Sequence, residues 1–123
     1  MYPDDYYTDQ TPEFRIAEII REEAIARTSE EVPHAMYVEV SDMEWKEDEK
    51  GKTLWVRAFL TVERDSQKGI LIGNAGKALK KVGREARLDM ETFFNKKVFL
   101  ELKVKVNKDW RNNERQIKKF GYH

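Results

Sequence analysis

The sequence predicts an α+β domain of order α–β–β–α–α–β plus a C-terminal helix, with a three-stranded sheet covered by helices on one face. Three observations carry that expectation. Three stretches, around 36–40, 54–62 and 98–106, alternate apolar and polar residues with period two. Alternation on a single phase means a sheet with one buried face. Apolar residues at helical spacing begin near Thr11 and again near Ala78, and a Gly-Asn-Ala-Gly tetrapeptide at 73–76 splits the middle helical region in two.

Size and composition narrow the classes. A chain of 123 residues is one domain that can bury a core without staples. It has no cysteine, so disulfides and thiolate metal sites are excluded, which fits a reducing cytosol. No apolar run reaches the roughly 18 residues that span a bilayer. The start, Met1-Tyr2-Pro3-Asp4-Asp5, lacks the basic-then-apolar pattern of a signal peptide. A formal net charge of zero hides a separation: residues 1–50 hold five basic and fifteen acidic side chains, residues 51–123 eighteen and eight. A basic face for a polyanion follows; the plainer reading is two solvated faces.

Residues 1–12 read as a tail or linker, with Tyr2, Tyr6 and Tyr7 able to dock, and 13–123 as the domain. Thr11-Pro12-Glu13 is a helix start: a capping hydroxyl, proline at the first helical position and an acid in the first turn. Phe14, Ile16, Ala17, Ile19, Ile20 and Ala24 give this helix its apolar face, and Val32-Pro33 should end it, because the residue before proline avoids the helical region.

Met36, Val38 and Val40 then alternate with Tyr37, Glu39 and Ser41, and Leu54, Val56, Ala58, Leu60 and Val62 with Trp55, Arg57, Phe59 and Thr61. The charged run Lys46–Lys52 is the turn of an antiparallel hairpin. Met43 and Trp45 fall out of phase with Val40, which predicts a bulge. A short helix follows, capped by Asp65 or Ser66. Past residue 76, the residues Ala78, Leu79, Val82, Ala86, Met90 and Phe93 mark a long helix to about Phe94, with Lys77, Lys80, Lys81, Arg84 and Arg87 on its other faces. Val98, Leu100, Leu102, Val104 and Val106 form the third strand. A basic helix from about Trp110 to Phe120 would end at Gly121, with Trp110 as a packing anchor. Tyr37, Trp55 and Phe99 oppose their strands' aliphatic rows, so one sheet face exposes aromatics that would serve a partner.

The stretch Lys68–Lys81 carries the chemistry. Gly73 and Gly76 bracket a tight turn that another backbone can approach, and the helix after it offers unpaired N–H groups and the positive end of its dipole. That suits a phosphate. Stronger phosphate motifs are excluded: a P-loop reads G-x-x-x-x-G-K-[ST], whereas Leu71 stands at the first glycine and Ala78 at the hydroxyl. The spacing of Gly69, Gly73 and Gly76 also fails the dinucleotide fingerprint.

A GxxG between two helices, in this element order, is similar to the type II KH fold, whose loop clamps about four backbone nucleotides of single-stranded RNA. The blocks Tyr2–Gln10, Ala17–Glu22, Val62–Gly73 and Val104–Arg111 resemble the C-terminal part of the Era family of bacterial GTPases, over nearly the whole chain. The resemblance implies an RNA-binding KH domain from a GTP-binding parent. Its partners would be the 3′ end of small-subunit rRNA and the small ribosomal subunit during its biogenesis. The N-terminal GTPase domain, with GTP and Mg²⁺, would lie outside this chain, which itself would hold no cofactor or metal. A cytoplasmic protein, peripheral at the inner membrane, is implied as well.

The RNA-binding residues expected on this basis are Lys68, Ile70, Ile72, Gly73, Asn74, Ala75, Gly76, Lys77, Lys80, Lys81 and Arg84. Bases would lie between the two middle helices and the edge of the strand around 54–62, over a floor of Ile70, Ile72, Leu79 and Val82. One departure matters: the family's GxxG usually holds a lysine, and here Asn74 and Ala75 carry no charge. That keeps a second reading open, a protein-interaction or regulatory module with a vestigial loop. Catalysis by this chain is not expected, since His34 and His123 are isolated and no nucleophile elbow is present.

Overall fold

The computed structural model describes residues 11–27 and 36–108. Its elements are α1 (Pro12–Arg27), β1 (Met36–Asp48), β2 (Gly51–Val62), α2 (Asp65–Ile72), a 3-10 turn at Asn74–Gly76, α3 (Lys77–Phe94) and β3 (Lys97–Val106). The tail 1–10, the expected stop at Val32-Pro33, both histidines and the C-terminal helix with Trp110 lie outside the described residues.

Helix α1 starts as its sequence dictates: the Thr11 hydroxyl accepts from the Phe14 N–H at 3.1 Å and the Thr11 carbonyl from the Arg15 N–H at 3.1 Å. Ile16, Ile19, Ile20 and Ala24 are buried, while Phe14 stays exposed. Strands β1 and β2 pair antiparallel, from Met36 opposite Val62 to Asp48 opposite Gly51, so the turn shrinks to Glu49-Lys50. The Asp48 carboxylate closes it, accepting from the Lys50 N–H at 2.8 Å. The predicted bulge is present, with a register shift between Val40 and Asp42. Beyond it Met43 lies opposite Val56 and Trp45 opposite Leu54, which returns both to the helix side.

Strand β3 pairs in parallel with β2, giving the order β1-β2-β3. The core is a single layer between sheet and helices. Leu54, Val56, Ala58, Leu60 and Val62 of β2 meet Ile16 and Ile20 of α1, Leu71 of α2, and Val82, Ala86 and Met90 of α3, all buried. Phe93, expected in that row, is 53% exposed and lies under the Arg15 guanidinium at 5.0 Å. The cap of α2 also differs from expectation. Gln67 Oε1 accepts from the N–H groups of Arg64 (2.9 Å) and Glu63 (3.2 Å), so the side chain reaching back, not Asp65 or Ser66, secures the first turn.

Candidate nucleic-acid interface

The turn joining α2 to α3 is built from three left-handed residues in four. Gly73 has φ 75° and ψ −175°, Ala75 φ 56° and ψ 27°, and Gly76 φ 77° and ψ 9°. The loop's own hydrogen bonds run from Gly73 N–H to the Gly69 carbonyl (2.9 Å), from Gly76 N–H to the Gly73 carbonyl (3.3 Å) and from Lys77 N–H to the Asn74 carbonyl. The sequence predicts bare amides at the start of α3. The 3-10 turn instead satisfies those of Gly76 and Lys77, and the N–H groups left outside this set belong to Asn74 and Ala75, both exposed. A concave run of amides in this conformation is an anion-binding shape.

Around the loop stand Lys68, half-buried on α2, and Lys77, Lys80, Lys81 and Arg84, exposed on α3. No ion pair forms on any of these five among the described residues, whereas Arg15, Arg57, Arg87, Lys103 and Lys105 each have a carboxylate partner within 3.6 Å. Lys50, Lys52, Lys96 and Lys97 are likewise without an ion pair among the described residues, so what marks the loop cations is their placement beside the turn and the groove.

One turn into α3 a groove of about 300 Å³ opens, lined by Leu79, Lys80, Gly83, Arg84 and Arg87 of the helix and by Leu100 and Leu102 of β3. It exists because the helical layer stops short of the sheet edge. The inward row of β2 is buried, while Leu100, Leu102, Val104 and Val106 of β3 are only half-buried. The far edge of β3 pairs with no described strand. Arg87 is fixed at the groove's end by Glu91 (3.1 Å), which also accepts from the Val98 N–H at 3.0 Å.

Sequence reasoning placed the strand wall at 54–62, but β2 is the central strand, bonded on both sides, and the wall is β3. Val82, expected in the floor, is fully buried core. Leu79 lines the groove together with Lys80 and Arg84, while Ile70 (38% exposed) and the half-buried Ile72 remain on α2, outside this lining. Lys81, one residue on from Lys80, is turned about 100° away and is likewise outside it. Gly83, Arg87, Leu100 and Leu102 were not anticipated. The i, i+4 spacing of 79, 83 and 87 was the signal that could have found the helical ones.

The sheet's opposite face carries a different chemistry. Trp55 and Phe99 stack with centroids 4.2 Å apart, and Lys46 lies 4.3 Å above the Trp55 ring. Arg57 bonds Glu101 at 2.9 Å and, with Lys103 nearby, holds its carboxyl below the usual glutamate range. Among the described residues there is no cluster of three or more metal-ligating side chains, and no helix long and apolar enough to cross a membrane.

A model of the KH domain family matches residues 31–111. GTPase Era of Treponema denticola is 49% identical over 122 residues, which takes in 99% of this chain and 41% of that relative. GTPase Era of Geobacter metallireducens is 51% identical over 121 residues, covering 98% of this chain and 40% of the relative. Among solved structures, a variant of Aquifex aeolicus Era bound to GDP·AlF4⁻ superposes with a TM-score of 0.79 at 36% identity, over 94% of this chain and 38% of that one. Era in complex with MgGDPNP and nucleotides 1506–1542 of 16S ribosomal RNA gives a TM-score of 0.79 at 36% identity, over 93% and 37%. The chain thus spans about 40% of the length of the curated relatives it matches.

Proposed function

The chain belongs to the KH domain family, and from that premise we propose that it binds single-stranded RNA through the 73–76 loop and the α3–β3 groove. The single observation that carries the reading is the coincidence of three things in one place. Amides of Asn74 and Ala75 lie outside the loop's own bonding, Lys68, Lys77, Lys80 and Arg84 beside it have no ion pair among the described residues, and an apolar groove begins one turn away.

Each part then has a task. The loop amides, with Lys68 and Lys77, hold phosphates and fix the register of the strand. Lys80 and Arg84 draw the backbone along the groove rim. Leu79, Leu100 and Leu102 take the faces of unpaired bases, and the edge of β3 that pairs with no described strand offers main-chain donors and acceptors to base edges. None of this requires a cofactor or bond-breaking chemistry within these residues.

By extension from the relatives, we propose that the chain is the KH part, with residues 1–12 as linker and 13–123 as domain, of an Era-type GTPase. The structure of Era with a 16S ribosomal RNA segment supports the 3′ end of small-subunit rRNA as the ligand and the small ribosomal subunit, in biogenesis, as the setting. GTP and Mg²⁺ would belong to the remaining part of such a parent. A cytoplasmic location with peripheral contact at the inner membrane would also be a property of the whole parent.

Fluorescence anisotropy with a labelled, pyrimidine-rich RNA from that 3′ end tests the reading. Affinity should fall with salt at a log–log slope of about −0.7 per neutralised phosphate. Gly76→Asp, which puts a negative charge where there is open space, should abolish most binding. Equal affinity for that variant, or a flat salt response, would overturn the proposal and leave the protein-interaction reading standing.

A further inference from the structure

Gly83 occupies the interior of α3 and lines the groove between Leu79 and Arg87. Neither of the usual reasons for a helical glycine applies. A β-carbon built there would meet no atom within 4 Å among the described residues, so no close packing against them excludes it. Its backbone is not left-handed either, unlike Gly73 and Gly76. Glycine at an interior helical position weakens the helix relative to alanine, so this residue works against the fold with no structural return among the described residues.

Its effect is on the groove. At position 83 the wall is bare helix backbone, while Leu79 one turn before and Arg87 one turn after, held by Glu91, bracket the gap. Leu100 and Leu102 of β3 line the same space. The slot is uncharged at its centre and cationic along its rim, where Lys80 and Arg84 stand. That layout separates a planar apolar ligand from the phosphates that carry it. Resting on the RNA-binding reading above, we propose that Gly83 determines specificity. It keeps the slot wide enough for one unpaired nucleobase to lie flat against the α3 backbone, and a side chain there would fill the space the base takes.

The test compares wild type, Gly83→Ala, Gly83→Leu and Gly76→Asp, in the full 123-residue chain, against the labelled 3′-end oligoribonucleotide. Gly83→Ala should raise the melting temperature by roughly 3–5 °C, because alanine is the better helix former. It should also weaken RNA binding about tenfold, the scale of losing one stacked base, and Gly83→Leu should weaken it further. The salt slope should not change in either variant, because no phosphate contact is lost. Wild type that fails to bind overturns both this inference and the function it rests on. Wild type that binds, with Gly83→Ala binding equally well, overturns this inference alone. A lowered melting temperature in Gly83→Ala assigns the glycine to the fold and also overturns it, as does affinity lost together with a shallower salt slope.

Discussion

A β-carbon on Gly73 would lie 2.6 Å from the Cβ of Ala78 and 3.0 Å from its backbone nitrogen. The end of α2 is thereby pressed against the first turn of α3, and the loop between them is held in one shape. Gly76, at the other end of the loop, has open space where its β-carbon would be. The two glycines look equivalent in sequence and are not equivalent physically.

Stability should separate them. Gly73→Ala meets both a backbone conformation reserved for glycine and a collision with Ala78, and should cost about 2–3 kcal/mol. Gly76→Ala meets only the left-handed penalty, about 1 kcal/mol. In urea denaturation, adding Ala78→Gly to Gly73→Ala should recover only the clash between the two β-carbons, beyond what Ala78→Gly costs alone as a helical glycine, and neither the 3.0 Å backbone contact nor the conformational part. Equal losses for the two single variants would contradict the geometry.

The uncharged pair Asn74-Ala75 leaves room for gain. Ala75 already holds a left-handed conformation and is exposed, so a longer side chain there adds no new clash with the core. Ala75→Lys should tighten RNA binding severalfold at low salt and steepen the log–log salt slope by about 0.7. An unchanged slope would mean that no phosphate passes that side of the loop.

The α3 lysines should not be interchangeable. Lys80 and Arg84 line the groove and Lys81 does not. Lys80→Ala and Arg84→Ala should each make the salt slope shallower by about 0.7, with uniform loss of affinity across RNA sequences. Lys81→Ala should leave the slope near that of wild type, and a deficit as large as that of Lys80→Ala would place the RNA on a different face of the helix.

On the other face of the sheet, Arg57 holds the Glu101 carboxyl below its ordinary range, first by the hydrogen bond and then by its charge. A depressed folded pKa contributes stability above the unfolded value and loses it as pH falls through the folded value. The contribution is small, since the pair is solvent-exposed. In a side-chain NMR titration Arg57→Ala should move the Glu101 midpoint upward, toward the ordinary glutamate value, and an unmoved midpoint would contradict the pairing.

Local chemistry made much of this molecule legible. Thr11 was readable as a cap because its partner lies three residues away, and the bulge between Val40 and Asp42 because Met43 and Trp45 break phase beside it. Gly73 and Gly76 announced the turn, although not which of them is pinned. What escaped depends on residues distant in sequence. Alternation says that β2 and β3 each have a buried face and says nothing about which is central; that is set by the parallel pairing of Thr53–Val62 with Lys97–Val106. The groove wall was misplaced for that reason, and Val82 was counted as floor because periodicity cannot tell the covered side of a stripe from its open margin. Gln67 was missed as a cap because it bonds backward to Arg64.

Amide NMR mapping of the 123-residue chain, titrated with the single-stranded 3′-end RNA, locates the RNA-binding face. The largest shifts should fall at Asn74, Ala75 and Gly83 and along Leu100–Leu102, with the outer face around Trp55 and Phe99 little changed. Shifts concentrated on Tyr37, Trp55 and Phe99, with the 73–76 loop silent, would contradict that placement.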